Sequence, residues 1–209
     1  MAAVSRLLLV RHGQSTWNAT GHWQGQADPP LTELGHEQAA VAAARILELL
    51  GPVDAVRASD LERAHHTARA IAAPHGLTVA TDERMRERDA GPWTGLTRAE
   101  IEERFPGFLG SGTRPDGYET DAALSERALA ALHDFADDLA GGTGVFVTHG
   151  GVIVTLETVH GAERINIANL GARWIERDPD GTFILGERVE LLPAGPGSGA
   201  GGIGGGAER

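Results

Sequence analysis

Apolar residues along the chain fall into short uninterrupted runs, which are separated by longer segments with helical spacing. A run without polar alternation, as in residues 5–10, is typical of a strand buried on both faces. Apolar positions at helical spacing in residues 32–50 predict an amphipathic helix, which Thr32 would cap and Gly51-Pro52 would end. The same patterns predict further strands at 53–58, 77–80, 144–148, 172–177 and 182–189, and further helices from just after Ser59 to about 73 and at about 97–104, 119–140 and 150–159.

The order of these predicted elements indicates the fold. Strands alternate with helices, which is typical of a three-layer α/β/α sandwich with a mostly parallel central sheet. Residues 1–192 are enough for a single domain with a full hydrophobic core. After residue 192 the sequence becomes mostly glycine, alanine and proline, so residues 193–209 are predicted to be a disordered tail.

Composition narrows the functional classes. The 209 residues include no cysteine, which excludes disulfides, thiolate metal sites and a cysteine nucleophile. The net charge of -11 argues against a nucleic-acid partner, because binding a phosphate backbone needs a basic face. No apolar run approaches the roughly 20 residues of a membrane span. The first apolar run is too short for a signal peptide, so we expect a cytoplasmic protein with no membrane contact.

Polar side chains concentrate where the predicted strands end. Arg11 and His12 follow the first strand, and His149 follows a later one. After the second strand, Ser59-Asp60-Leu61-Glu62 has the spacing of a capping box, so we expect this stretch to cap a helix whose first turn holds Arg63. The carboxyl ends of strands line the ligand crevice of open α/β sheets. The two arginines and two histidines are therefore expected to converge there.

This set of side chains suits phosphate chemistry. Two guanidiniums match an anion with several acceptor oxygens, above all phosphate. Gly13, Gly150 and Gly151 allow backbone N–H groups to approach a bound group, and a helix beginning near Gly150 would add its positive end. Because histidine can act as a nucleophile, the residues predict phosphoryl transfer through a phosphohistidine. Each side chain alone also fits a structural role, and only their shared position favours function.

Five ordered blocks of sequence resemble the histidine phosphatase superfamily, the phosphoglycerate-mutase-like proteins. Together they span about residues 7 to 160. The blocks are LVRHGQSTWN at 9–18, QGQADPPLTELGHEQA at 24–39, SDLERAHHTARAIA at 59–72, RERDAGPWTGLT at 86–97 and VFVTHGGVI at 145–153.

The resemblance implies two residues that change bonds. His12 would attack phosphorus from one ring nitrogen, while the other donates to a backbone carbonyl and sets the tautomer. Glu87 would give a proton to the leaving oxygen and later act as base on water. Two nearby arginines favour the ionised carboxylate, and a bound phosphate dianion would partly cancel them, so we expect an acid-to-neutral optimum. Alternatively, Glu87 is simply one charge in the run DERMRERD.

The resemblance also implies a set of phosphate-binding residues. Two arginines and the second histidine would hold the phosphoryl oxygens and neutralise the charge in transfer. Asn18 would reach the phosphate or orient its neighbours, although it and Ser15 also fit turn positions. No cofactor and no metal are expected, because no cluster has the spacing of a metal site. The implied phosphate-binding residues are Arg11, Ser15, Asn18, Gln24, Gly25, Arg63, His149 and Gly150.

The length of the segment after the acid block favours the phosphatase branch. Mutases of the family carry a longer insert rich in arginine and lysine, whereas the insert at about 104–120 offers only Arg104 and Arg114. We therefore expect a phosphatase acting on small-molecule phosphomonoesters, such as sugar phosphates or phosphoglycerate derivatives. The alternatives are a cofactor-dependent phosphoglycerate mutase, a protein phosphatase, or a protein that binds phosphorylated ligands without turnover. The sequence leaves the oligomeric state open, and a homodimer is one alternative because many relatives are dimers.

Departures from the family pattern fall near the expected pocket. His22 stands where arginine is common, Thr94 where glutamate is usual, and Tyr118 where the pattern has glycine. Phe105, Phe108 and Tyr118 would form an apolar lid over the substrate, or would simply pack the insert onto the domain. Substrate choice therefore does not follow from the resemblance alone.

Overall fold

A six-stranded sheet forms the centre of the computed structural model of the protein, which describes residues 4–193. Four strands are parallel neighbours, and two antiparallel strands extend the sheet at one side, in the order β3-β2-β4-β1-β5-β6. The prediction of a mostly parallel sheet is confirmed. The strands are β1 (Ser5–Arg11), β2 (Ala55–Ala58), β3 (Val79–Thr81), β4 (Thr143–Thr148), β5 (Gly171–Arg177) and β6 (Phe183–Glu190).

Helices cover both faces of the sheet and complete the three layers. Leu8 and Val10 of β1 pack with α2 and α3 in one apolar cluster, which is why the strand shows no polar alternation. Leu7 and Leu9 point to the other face and pack with α6 and α7. The helices are α1 (Thr16–Thr20), α2 (Glu33–Leu50), α3 (Glu62–Ala72), α4 (Arg98–Arg104), α5 (Phe108–Ser111), α6 (Asp121–Leu139) and α7 (Gly150–Val159).

Strand register sets three chain positions side by side. In the parallel pairings, Arg11 lies opposite Thr148, and Ala58 lies opposite Val147. The ladder continues one step past each strand, because the His12 N–H donates to Thr148 O at 3.0 Å and the Ser59 N–H donates to Val147 O at 2.9 Å. The residues that follow β1, β2 and β4 therefore share one edge of the sheet.

The two shortest helices were not predicted. Helix α1 buries none of its five residues, so it shows no apolar periodicity. It is specified instead by a capping box, in which Ser15 and Asn18 bond each other's backbone N–H groups. Helix α5 has four residues, which is too short to give a periodic signal.

The predicted capping box at Ser59 is wrong. Helix α3 begins at Glu62 after Leu61, which makes no side-chain cap bond. The Ser59 hydroxyl is fully buried, accepts the Leu61 N–H at 3.3 Å, and lies 2.8 Å from His149 Nε2. The Glu62 N–H, which a Ser59 cap would accept, donates instead to Asp28 Oδ1 at 2.8 Å, so the expected capping box does not form.

Aromatic residues pack the segment around 104–120 onto the rest of the fold. Phe105 lies 6.2 Å from Trp93 between ring centroids, and Phe108 lies 5.7 Å from Phe105. Both therefore join a third apolar cluster, as the packing alternative for the insert expected. The division into a domain at 1–192 and a tail stays a prediction, and residues 194–209 of the predicted tail lie outside the described residues.

None of the helices that the structure describes is both long and apolar enough to pass through a lipid bilayer.

Substitution of Gly35 should reveal how closely α2 approaches the segment after β1. A Cβ at Gly35 would lie 2.1 Å from Gln14 O, which is backbone and has little freedom to move. We expect Gly35→Ala to lower the free energy of unfolding by about 1–3 kcal/mol, although alanine favours a helix. Denaturant unfolding measures this. Gly110→Ala in α5 is the matched control, since its Cβ would meet open space; equal midpoints for both variants would contradict the close approach.

Candidate active site

A cavity of about 450 Å³ lies at the edge of the sheet where β1 and β4 end. Its wall includes Arg11 at the end of β1, His12 directly after it, Gly151 in the first turn of α7, and Glu87 from the segment after β3. Other wall residues come from α1, the start of α6 and loops far apart in sequence. These include Asn18, His22, Trp23, Gln24, Gly25, Arg88, Arg114, Tyr118, Glu119, Asp121, Arg164 and Asn166.

Hydrogen bonds on both ring nitrogens define the tautomer of His12. Nδ1 lies 2.7 Å from Gly13 O, which can only accept, so Nδ1 carries the proton. The Arg63 Nε–H donates to Nε2 at 3.3 Å, so Nε2 presents its lone pair. Burial, reinforced by the charges of Arg63 and Arg11, holds the pKa of His12 well below its usual range. The imidazole is therefore neutral at physiological pH, as a nucleophile requires.

His149 lies against His12, with 5.1 Å between ring centroids. Burial and the neighbouring Arg63 also hold its pKa well below the usual range. Its Nε2 bonds to Ser59, whereas Nδ1 is buried and has no partner within residues 4–193. The Arg11 Nε–H is likewise buried without a partner in this part of the chain. Two nitrogens beside His12 thus lack the partner that buried polar groups normally have.

Backbone carbonyls orient both arginines. Arg63 donates to Ala27 O at 2.7 Å and Gly25 O at 3.1 Å, and Asp28 lies at ion-pair distance, 3.8 Å. Arg11 donates to Ile167 O at 2.5 Å. Burial lowers the pKa of each guanidinium to about 10, and the carboxylate of Glu87 opposes that shift in both. Both remain charged at neutral pH, so a strong positive field meets any group that enters beside His12.

Glu87 is held by backbone N–H groups. Its Oε2 accepts the Gly151 N–H at 3.0 Å, and its Oε1 accepts the Arg88 N–H at 2.7 Å. A Cβ at Gly151 would lie 2.2 Å from Oε1, so only glycine leaves room for the carboxylate. A Cβ at Gly150 would lie 3.4 Å from Arg11 Nε. A Cβ at 3.4 Å would be an ordinary contact, so it is Gly151, and not Gly150, whose lack of a side chain admits the neighbouring carboxylate.

The remaining expected site residues take different positions. Asn18, Gln24 and Gly25 line the cavity. Ser15 is fully buried, caps α1, and bonds Gln24 Oε1 at 2.7 Å, so the structure places it behind the cavity wall. Asn169 was not predicted. Its Nδ2 donates to His12 O at 2.9 Å and Asn18 Oδ1 at 3.3 Å, from a loop with no helical or strand pattern to mark it.

The family model described as Histidine phosphatase superfamily (branch 1) matches residues 7–187. The chain belongs to the histidine phosphatase superfamily. A glucosyl-3-phosphoglycerate phosphatase of Mycolicibacterium vanbaalenii is 38% identical over 165 residues, which cover 73% of this chain and 72% of the relative. A probable phosphoglycerate mutase of Yersinia enterocolitica is 38% identical over 152 residues, 69% of each chain.

A solved structure agrees with the sequence relatives. A mycobacterial glucosyl-3-phosphoglycerate phosphatase in complex with VO3 superposes with a TM-score of 0.77 and 30% identity, covering 86% of this chain and 96% of that one. The predictions of the family, of its fold and of a phosphatase enzyme are confirmed. The roles of individual residues in this histidine phosphatase stay predictions.

The departures from the family pattern lie at the cavity of this histidine phosphatase. His22 and Tyr118 line its wall, and Thr94 Oγ1 lies where a side chain on Gly25 would be. Tyr118 packs edge-on against Trp93 at 5.4 Å between ring centroids, and burial raises the pKa of its phenol. Unlike the phenylalanines of the insert, Tyr118 therefore both packs the segment and faces the cavity.

The two buried histidines predict a pH dependence of stability. Each pKa is depressed from 6.5 in the folded protein, so below pH 6.5 the unfolded chain binds more protons and stability falls as pH falls. From pH 6.5 to 5.5 we expect a loss of about 2 kcal/mol for the pair. Denaturant unfolding in phosphate-free buffer measures it. The double variant His12→Gln/His149→Gln should lack this component, and an unchanged slope would contradict the prediction.

Proposed function

We propose that this histidine phosphatase hydrolyses small-molecule phosphomonoesters through a phosphohistidine formed on His12. One observation carries the proposal. The neutral, buried Nε2 of His12 lies 3.3 Å from Arg63 Nε, the His149 ring lies 5.1 Å away between centroids, and Arg11 Nε and His149 Nδ1 are buried without partners among residues 4–193. A phosphoryl group on Nε2 brings three acceptor oxygens to this place, so it would satisfy the donors that the protein leaves open.

The first half of the reaction forms one bond and breaks one. The Nε2 lone pair of His12 attacks phosphorus, and the bond between phosphorus and the leaving oxygen breaks. Protonated Glu87 gives its proton to that oxygen, which departs as an alcohol. Arg11, Arg63 and His149 bind the other phosphoryl oxygens and stabilise their charge in the transition state.

The second half regenerates the enzyme with the same two residues. Glu87, now a carboxylate, takes a proton from water as the water oxygen attacks phosphorus. The bond between phosphorus and Nε2 breaks, inorganic phosphate leaves, and His12 and Glu87 return to their starting protonation states. Nδ1 keeps its proton, which it donates in a hydrogen bond to Gly13 O throughout, so the ring does not have to rotate.

Charges on the cavity wall favour a substrate with a second anionic group. Arg88 and Arg164 each donate to Asp121 at 2.5 Å, so the single negative charge of this carboxylate balances only one of the two positive charges. Arg114 has no carboxylate partner in the described part of the chain, and it lies over the Trp93 and Tyr118 rings at 5.3 and 5.4 Å. We therefore place phosphoglycerate derivatives ahead of neutral sugar phosphates, in line with the substrate named for the mycobacterial relatives.

Initial rates of phosphate release from a panel of phosphomonoesters, without added metal, test the function. The panel pairs each carboxylated compound with a partner that lacks the carboxylate, such as 3-phosphoglycerate with glycerol 3-phosphate, and adds nucleotides and an aryl phosphate. We expect release that disappears in His12→Ala, and a higher kcat/KM for the carboxylated member of each pair.

Other outcomes separate the alternatives. Isomerisation of phosphoglycerate that requires a bisphosphoglycerate, without net phosphate release, would identify a mutase. Release from a phosphohistidine or phosphoserine protein alone would identify a protein phosphatase. Binding without turnover would leave a phospho-ligand binding protein, and release that persists in His12→Ala would contradict the phosphohistidine.

Removal of the acid should change the pH profile as well as the rate. We expect Glu87→Gln to lower kcat for an alkyl phosphate about 10²–10⁴-fold and to remove the fall in kcat toward alkaline pH, because glutamine has no proton to lose. Measurement of kcat against pH checks this. Glu83→Gln, an exposed carboxylate on the same segment, is the matched control; an unchanged profile in Glu87→Gln would contradict its role as acid.

We further propose that the protein acts in the cytoplasm and forms a homodimer, without nucleic-acid, metal or cofactor partners. The support is the net charge of -11 and the family to which the chain belongs. Sedimentation of the purified protein tests the oligomeric state, and the rate of phosphate release with and without EDTA tests the metal independence.

A further inference from the structure

Arg127 of α6 binds the backbone of the segment that carries Glu87. Its guanidinium donates to Arg84 O at 2.6 Å, Arg86 O at 2.7 Å and Glu87 O at 3.1 Å. The opposite edge of the same guanidinium forms a two-point ion pair with Glu119, at 2.7 and 2.8 Å. One side chain therefore satisfies three backbone carbonyls within four residues, while a carboxylate fixes its own orientation.

The segment has little other regular structure to hold it. Between β3 and α4 it forms only two short 3₁₀ turns, at Glu83–Met85 and Gly91–Trp93, and the carbonyls of residues 84–87 accept from side chains rather than from backbone N–H groups. Met85 O accepts from the Thr148 hydroxyl at 2.8 Å, which ties the start of the segment to β4. The backbone carbonyl of Glu87 itself depends on Arg127.

Glu119, the ion-pair partner of Arg127, holds the residues that follow Glu87. The Glu119 N–H donates to Asp89 O at 2.9 Å, and the Asp89 N–H donates to Glu119 Oε2 at 3.1 Å. Arg88 donates to Glu119 O at 2.6 Å. The backbone is thus fixed before and after Glu87, while its carboxylate accepts the Gly151 N–H at the cavity wall.

We propose that Arg127 is a positioning residue, which acts through the backbone of residues 84–87 to place the Glu87 carboxyl against the leaving oxygen. The inference rests on the proposed role of Glu87 as acid. Arg127 is not among the described residues that line the cavity, so it does not touch the substrate directly, and three of its hydrogen bonds run to the backbone that carries Glu87. Because a displacement of about 1 Å costs roughly 10²-fold in rate, loss of the clamp should be visible in kinetics.

The leaving group distinguishes positioning from a general loss of structure. An alkyl alkoxide needs a proton to depart, whereas 2,4-dinitrophenolate does not. For Arg127→Gln we expect kcat/KM to fall about 10²-fold with glycerol 3-phosphate and less than about threefold with 2,4-dinitrophenyl phosphate. In this ping-pong scheme kcat/KM reports the steps through leaving-group departure, so later hydrolysis of the phosphohistidine does not enter.

A double variant and two further single variants make the test specific. In Glu87→Gln, adding Arg127→Gln should produce no further loss, because residues that act as a unit are not additive. Arg127→Lys, which keeps a cationic donor, should recover part of the alkyl phosphate rate and also serves if the glutamine variant folds poorly. Arg84→Gln is the matched control: Arg84 pairs with Asp82 and with Asp134 of α6, but its guanidinium binds none of the segment carbonyls.

Equal losses with both substrates, additivity in the Glu87→Gln background, or the same selective loss in Arg84→Gln would each overturn the positioning role. If Glu87→Gln itself lowers both substrates equally, the acid assignment falls and the inference falls with it. The two kinds of failure can be told apart. If only the inference about Arg127 is wrong, Glu87→Gln still slows the alkyl phosphate more than the 2,4-dinitrophenyl phosphate; if the acid assignment is wrong, that difference is absent.

Discussion

Two guanidiniums and two imidazoles lie buried together, and few carboxylates surround them. Desolvation lowers the pKa of each guanidinium to about 10 and holds both histidines well below their usual range. The cluster therefore keeps its arginines charged and its histidines neutral, which is the pairing that phosphoryl transfer to nitrogen needs. The sheet edge and the backbone carbonyls around Arg11 and Arg63 hold this cluster without neutralising it.

The fold and the centre of the site were both accessible from sequence, because each leaves a local trace. Strands buried on two faces read as unbroken apolar runs, and residues 5–10 and 144–148 are of this kind. His12 and His149 directly follow such runs, so their meeting at one sheet edge followed from parallel pairing alone. Glu87 was found only through family resemblance, since its own segment has no regular structure.

What sequence could not show is contact between distant loops. Ser59 has the spacing of a helix cap, yet its hydroxyl bonds His149, a partner 90 positions away. Asn169 holds the His12 carbonyl from a loop without periodicity. The shared carboxylate of Asp121 depends on where Arg88 and Arg164 meet in space. In each case the deciding interaction is long-range and polar, and no local pattern encodes it.

The use of main-chain oxygens around Arg63 separates the importance of a position from its tolerance of substitution. Gly25 and Ala27 orient the guanidinium through their carbonyl groups, which every amino acid possesses. At Gly25 the backbone is in the left-handed region and a Cβ would crowd Thr94, so variation there is restricted by shape. At Ala27 the backbone carbonyl oxygen is present whatever the side chain. A position can thus belong to an active site while its identity drifts freely among related proteins.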